Sequence, residues 1–190
     1  AINVTFKDCS QTNDIKDRRY WGILGSNYCK NLTYDGCVFS RFDAHMGVAN
    51  ATIKNSVMGH MGINAIGFGT LLVENTTIYG GSMVNLRSDY GSTWEGEFIF
   101  RNCVFVPSAG RKVKAFLVNG SNSGQHDFGY QCYMPRRILF ENVRIEDSNH
   151  PDVYDGPVIF GDFNRKNKSA EYVEKNLYSK REEGGIGTVT

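Results

Sequence analysis

Apolar and polar residues alternate in short runs, and one phrase recurs along the chain: apolar, polar, apolar, a polar residue, a turn residue, then a second short apolar run. It reads Val4-Thr5-Phe6-Lys7-Asp8-Cys9, Leu32-Thr33-Tyr34-Asp35-Gly36-Cys37-Val38-Phe39 and Ala51-Thr52-Ile53-Lys54-Asn55-Ser56-Val57-Met58. It continues as Leu71-Leu72-Val73-Glu74-Asn75-Thr76-Thr77-Ile78, Phe98-Ile99-Phe100-Arg101-Asn102-Cys103-Val104-Phe105 and Ile138-Leu139-Phe140-Glu141-Asn142-Val143-Arg144-Ile145. The turn positions Asp8, Gly36, Asn55, Asn75, Asn102 and Asn142 are 28, 19, 20, 27 and 40 residues apart, so the shortest steps set the repeat and the others carry insertions. A two-residue period belongs to a strand, not a helix. Each copy therefore predicts two strands joined by a one-residue corner. Asn, Asp and Gly suit that corner because they tolerate a left-handed backbone, and stacked Asn amides can bond from copy to copy.

A third short strand is expected between copies, at Trp21-Gly22-Ile23-Leu24, Met46-Gly47-Val48-Ala49, Ile63-Asn64-Ala65-Ile66, Val84-Asn85-Leu86-Arg87, Ala115-Phe116-Leu117-Val118 and Pro157-Val158-Ile159-Phe160. Three strands per pass, stacked about 4.8 Å apart, predict an all-β chain folded as a parallel β-helix of three parallel sheets and about six coils over residues 1–164. The column Cys9, Cys37, Ser56, Thr76, Cys103 and Val143 would point inward, mostly small as a tight corner requires. Residues 165–190 are more polar, with a short helix expected over 169–178 and a mobile tail after it. The first coil has no capping segment before it, so a missing N-terminal region or a partner chain is expected to cover it.

Composition narrows the function classes. The 190 residues carry 21 Lys+Arg against 20 Asp+Glu, too even a balance for nucleic-acid binding by field alone, and no run is long enough to span a membrane. The 5 cysteines include no C-x-x-C pair, and three of them fall at one repeated position, which reads as small buried residues and not as ligands or a disulfide framework. Triplets such as Asn31-Leu32-Thr33 and Asn50-Ala51-Thr52 arise from the repeat and are not read as glycosylation sites.

The repeat, with its Asn corner, resembles the right-handed single-stranded parallel β-helix proteins of the pectin-lyase-like superfamily, in particular uncharacterised bacterial members. That resemblance implies a polysaccharide or other glycan as partner, an extracellular or cell-surface location, and use of one sheet with its flanking loops as the site.

Two clusters carry chemistry. Arg41, Asp43, His45 and His60 put a carboxylate beside imidazoles that are expected on one corner of adjacent coils, which suits acid-base work or sugar contact, or else polar side chains that only fill the corner. No cofactor is required and no metal site is assigned, although such a cluster can accept a divalent cation. The second cluster is Asn85, Arg87, Asp89, Tyr90, Trp94 and Glu95, with Asn64 expected to stack beside Asn85; amides, aromatics and Arg suit sugar hydroxyls, ring faces and carboxylates. The catalytic candidates are His45, His60, Asp43 and Arg87; the substrate-binding candidates are Arg41, Asn64, Asn85, Asp89, Tyr90, Trp94, Glu95 and His126. A lyase needs a base and a carboxylate-neutralising cation, a glycoside hydrolase two carboxylates. Gly59-His60-Met61-Gly62 is similar to the Gly-His-Gly of polygalacturonases, but the adjacent aspartates of that family are absent. The alternative is a non-catalytic β-helix scaffold of a cell-surface, adhesin or tailspike protein.

Overall fold

The computed structural model describes residues 1–17, 26–87, 94–107, 115–121, 135–148, 156–161 and 188–189. Among them there are strands and turns but no helix, and every strand pairing is parallel. The strands are β1 (Ile2–Lys7), β2 (Ser26–Asn27), β3 (Lys30–Asp35), β4 (Val38–Phe39), β5 (Phe42–Lys54), β6 (Val57–Met58), β7 (Ile63–Glu74) and β8 (Thr77–Gly80). They continue as β9 (Ser82–Arg87), β10 (Trp94–Arg101), β11 (Val104–Pro107), β12 (Ala115–Ser121), β13 (Arg137–Glu141), β14 (Arg144–Ile145), β15 (Pro157–Gly161) and β16 (Thr188–Val189). One sheet has 11 strands and the other 5, ordered β14-β11-β8-β6-β4; neither closes into a barrel.

The larger sheet forks. The C-terminal halves of β5 and β7 run in the ladder β1-β3-β5-β7-β10-β13-β16, while their N-terminal halves pair with β2 and with β9, which leads on to β12 and β15. Register follows the repeat: Val4 pairs with Leu32, Leu32 with Ala51, Ala51 with Leu71, Leu71 with Phe98 and Phe98 with Ile138. Parallel in-register strands place like residues over like, so apolar columns form a continuous interior. Leu32, Ala51, Leu71, Phe98 and Ile138 are all buried, and so are Tyr34, Ile53, Val73 and Phe100 beside them. Aromatic contacts tie the passes together, from Phe6 on Tyr34 (centroids 5.1 Å apart) to Phe100 stacked on Phe140 (5.3 Å).

The corners are left-handed as expected, with positive φ at Asp8, Gly36, Asn55, Asn75, Asn102 and Asn142. Asn75 donates to Asn55 Oδ1 at 3.3 Å and Asn142 to Asn102 Oδ1 at 2.7 Å. The next residue turns inward, and its thiol or hydroxyl bonds the carbonyl two positions back: Ser56 to Lys54 O, Thr76 to Glu74 O, Cys103 to Arg101 O. Burial pushes the Cys37 and Cys103 thiols up, which keeps them protonated and unreactive.

A second left-handed column, unforeseen in the repeat, consists of Asn3, Asn31, Asn50 and Gly69, where Asn31 bonds Asn3 at 2.8 Å and Asn50 bonds Asn31 at 3.1 Å. Two expectations change. The strand expected at Met46-Gly47-Val48-Ala49 begins at Phe42, because Phe42 and Ala44, not Met46, pair with Ile63 and Ala65. Thr188 and Val189, expected in a mobile tail, pair with Arg137 and Ile138. The helix expected over 169–178 and the strand at 21–24 lie outside the described residues, and among the described residues no helix is long and apolar enough to cross a membrane.

Candidate functional site

The forked branch carries a polar row. Phe42, Ile63, Val84 and Val118 pair in register and are buried, as are Ala44, Ala65 and Leu86 two positions on. The residues between them, Asp43, Asn64, Asn85 and Asn119, also pair in register, so alternation turns this second set to the opposite face. Asn85 Nδ2 donates to Asn64 Oδ1 at 3.0 Å, and Asn64 Nδ2 donates to Met61 O at 3.1 Å. Asn119 extends the row; its signal was its register with Asn85, hidden by the long insertion between their strands.

At one end of the row Asp43 pairs with Arg41, and both are about 3% exposed. A pair so buried holds its partners mutually, because opening it would leave an uncompensated charge in low dielectric.

His60 occupies the turn before β7. Its backbone N–H and its ring Nδ1 both meet Ile15 O, at 3.0 and 2.9 Å. A carbonyl oxygen only accepts, so in the neutral ring this bond places the proton on Nδ1 and leaves the lone pair on Nε2. Residues 11–17 hold that geometry: Gln11 Oε1 accepts from Ser40 N at 2.8 Å, and a Cβ on Gly59 would come within 2.1 Å of Ile15 O. Lys16 lies over the Tyr79 ring on the next pass, 5.3 Å from its centroid.

His45 and His60 do not share a corner. Met61 N bonds Ser40 O, which sets His60 level with the turn before Phe42, whereas His45 follows Ala44, the partner of Ala65. The two are separated along the strand direction by roughly 10 Å or more. The dipeptides Met46-Gly47 and Met61-Gly62, which follow the two histidines alike in sequence, are not in register.

Arg87 is placed by its backbone as the last residue of β9, opposite Ser121 and two positions beyond Asn85. Trp94 is fully buried: its ring packs 5.7 Å from Phe98 and its indole N–H donates to Gly69 O at 2.9 Å, so it builds the core and presents nothing to a ligand. Glu95 is half-buried and bonds Arg136 at 3.2 Å. Asp89, Tyr90 and His126 lie outside the described residues. Among the described residues, no three His, Cys, Asp or Glu side chains gather as metal ligands.

No family model matches the chain, and no solved structure matches it. The chain is similar to a curated protein of Klebsiella phage P510 described as "Depolymerase, capsule KL64-specific", with 29% identity over 103 residues. The match covers 47% of this chain and 10% of the depolymerase, so the chain spans a small part of that relative's length.

Proposed function

We propose that this chain is part of a carbohydrate-active, right-handed parallel β-helix of three sheets and about six coils, related to phage tailspike depolymerases. It binds an acidic capsular polysaccharide outside the cell and cleaves it. The single observation that carries the reading is the in-register row Asp43, Asn64, Asn85 and Asn119 backed by apolar columns. Amides repeating at the strand spacing set a ladder of like polar groups along the path of an extended glycan, with the Oδ1 atoms of Asn85 and Asn119 themselves buried. The forked sheet supports the three-sheet reading, since β5 and β7 each leave one ladder and enter another.

The reaction proposed is β-elimination on a uronic acid. His60 Nε2 takes the proton next to the carboxylate, the electron pair forms the ring double bond, and the glycosidic oxygen leaves with a proton from water. Arg87 and His45, which the register sets level with each other well beyond His60, contact the carboxylate and hydroxyls of the neighbouring sugar. Asp43 and Arg41, closed on each other, shape the end of the row. The test is incubation with acidic and neutral capsular polysaccharides, following unsaturated-uronate absorbance and reducing ends. His60→Asn, which keeps a donor for Ile15 O but has no base, should lose about 10²- to 10⁴-fold in rate with unchanged melting. Full activity in that variant would remove His60 from the reaction.

One observation favours a second reading, a glycan-binding scaffold without catalysis: Asp43 and Asn64 are engaged in internal bonds that fasten the fold. Retained polysaccharide binding with neither absorbance nor reducing ends would select it.

A further inference from the structure

Phe68 is 51% exposed in the middle of β7, an unusual position for a large apolar ring in a chain whose other β7 apolar side chains are mostly covered. The backbone beneath it is closely packed. Gly67 and Gly69 flank it in the chain, and a Cβ on them would come within 2.3 Å of Val48 O and 2.2 Å of Asn50 Oδ1. On the preceding strand its register partner is Ala49; on the following strand it is Glu95, with Gly96 beside it, whose added Cβ would lie 2.1 Å from Gly69 O. No larger side chain fits at those glycines, so the exposed ring stands on a tightly closed strip of backbone.

Charge is arranged around that strip. Lys30 pairs with Ala49, two strands before Phe68. Arg136 donates its backbone N–H to Gly96 O and its guanidinium to Glu95, two strands after. Both residues are exposed, their backbones lie two strand spacings, about 10 Å, to either side of that of Phe68, and the Arg136 guanidinium already pairs with Glu95 beside the ring.

We infer that Phe68 is a stacking platform for one sugar ring of an acidic polysaccharide, with Lys30 and Arg136 receiving carboxylates of flanking residues. The inference rests on the polysaccharide-binding reading above and adds a subsite outside the amide row. An aromatic face packs against the apolar face of a pyranose, and flanking cations select acidic over neutral polymers. Affinity electrophoresis of the full chain in gels containing polygalacturonate, alginate, acidic capsular polysaccharide or neutral dextran tests it. Phe68→Ala should lose at least tenfold in affinity for the acidic glycan that retards the wild type, while Phe68→Tyr keeps it. Lys30→Ala with Arg136→Ala should abolish the preference for acidic over neutral polymer. Wild-type retardation with an unchanged Phe68→Ala overturns the subsite and leaves the broader reading standing; no retardation of the wild type by any of the glycans overturns both.

Discussion

Arg101 stands between two carboxylates on neighbouring strands, bonding Glu141 at 2.7 Å and reaching Glu74 at 3.9 Å. It belongs to a row of strictly alternating sign: Lys7 pairs with Asp35, Asp35 with Lys54, Lys54 with Glu74, Glu74 with Arg101 and Arg101 with Glu141. Each charge meets opposite charges across the ladder, so a strand paired one residue out of register would lose these partners and turn its apolar set outward. Arg101→Glu puts three like charges on consecutive strands. It should destabilise the fold by about 1 kcal/mol at low salt, discounted for exposure. Urea midpoints in 0.05 M and 1 M salt, as order-of-magnitude conditions, check this: a loss that persists unchanged at high salt would show packing damage instead of charge.

Asp35 gives the same row a pH signature. The Asn55 amide, then Lys54 and Lys7, hold its carboxyl below the ordinary value of 3.8. A carboxyl with a depressed folded pKa contributes stability that is fully present above the unfolded value and is lost as pH falls through the folded one. Asp35→Asn should therefore melt lower than wild type at neutral pH, with the gap closing below pH about 4. Melting curves from pH 7 to pH 3 decide it; a constant gap would mean that the carboxylate's charge is not what stabilises.

Much of the fold was legible because the interior of a stack of parallel strands repeats in sequence. The steps from Leu32 to Ala51, Leu71, Phe98 and Ile138 could be counted directly, whatever the intervening loops contained. The alternating charge row was equally countable, one position before each corner, but charges on an outer face are usually solvated and carry no such expectation. The site was less legible. Met46-Gly47 and Met61-Gly62 match in letters but differ in register, and the pairing of Phe42 with Ile63 is fixed by burial that no dipeptide reveals. Trp94, chosen for its chemistry, is inside because Gly67 beneath it leaves room for the indole. A lone Phe within an apolar strand reads as core, so nothing in the pattern marks Phe68.

That indole gives a packing prediction. Trp94 is fully buried against Phe98, and a Cβ on Gly67 would approach its ring to 2.8 Å and Val48 O to 2.3 Å. Trp94→Ala should cost about 3–5 kcal/mol through the cavity it leaves. Gly67→Ala should also destabilise, because backbone stands in the way. Denaturant midpoints of both variants read the effect, and a wild-type midpoint in Gly67→Ala would mean that the two strands separate easily at this point.

Asn102 separates two contributions to the corner. Its backbone is left-handed at φ 51°, and its Oδ1 accepts from Asn142 at 2.7 Å. Asn102→Gly relieves the backbone cost but removes the side-chain bond, for a loss of about 0.5–1.5 kcal/mol. Asn102→Ala removes the same bond and adds the steric cost of a β-carbon in the left-handed region, a further 1–2 kcal/mol or so. The expected order of unfolding midpoints is wild type, then Gly, then Ala. If Gly proves at least as stable as wild type, the corner needs only its backbone conformation and the amide column contributes nothing measurable; if Ala equals Gly, the left-handed strain is absorbed elsewhere in the turn.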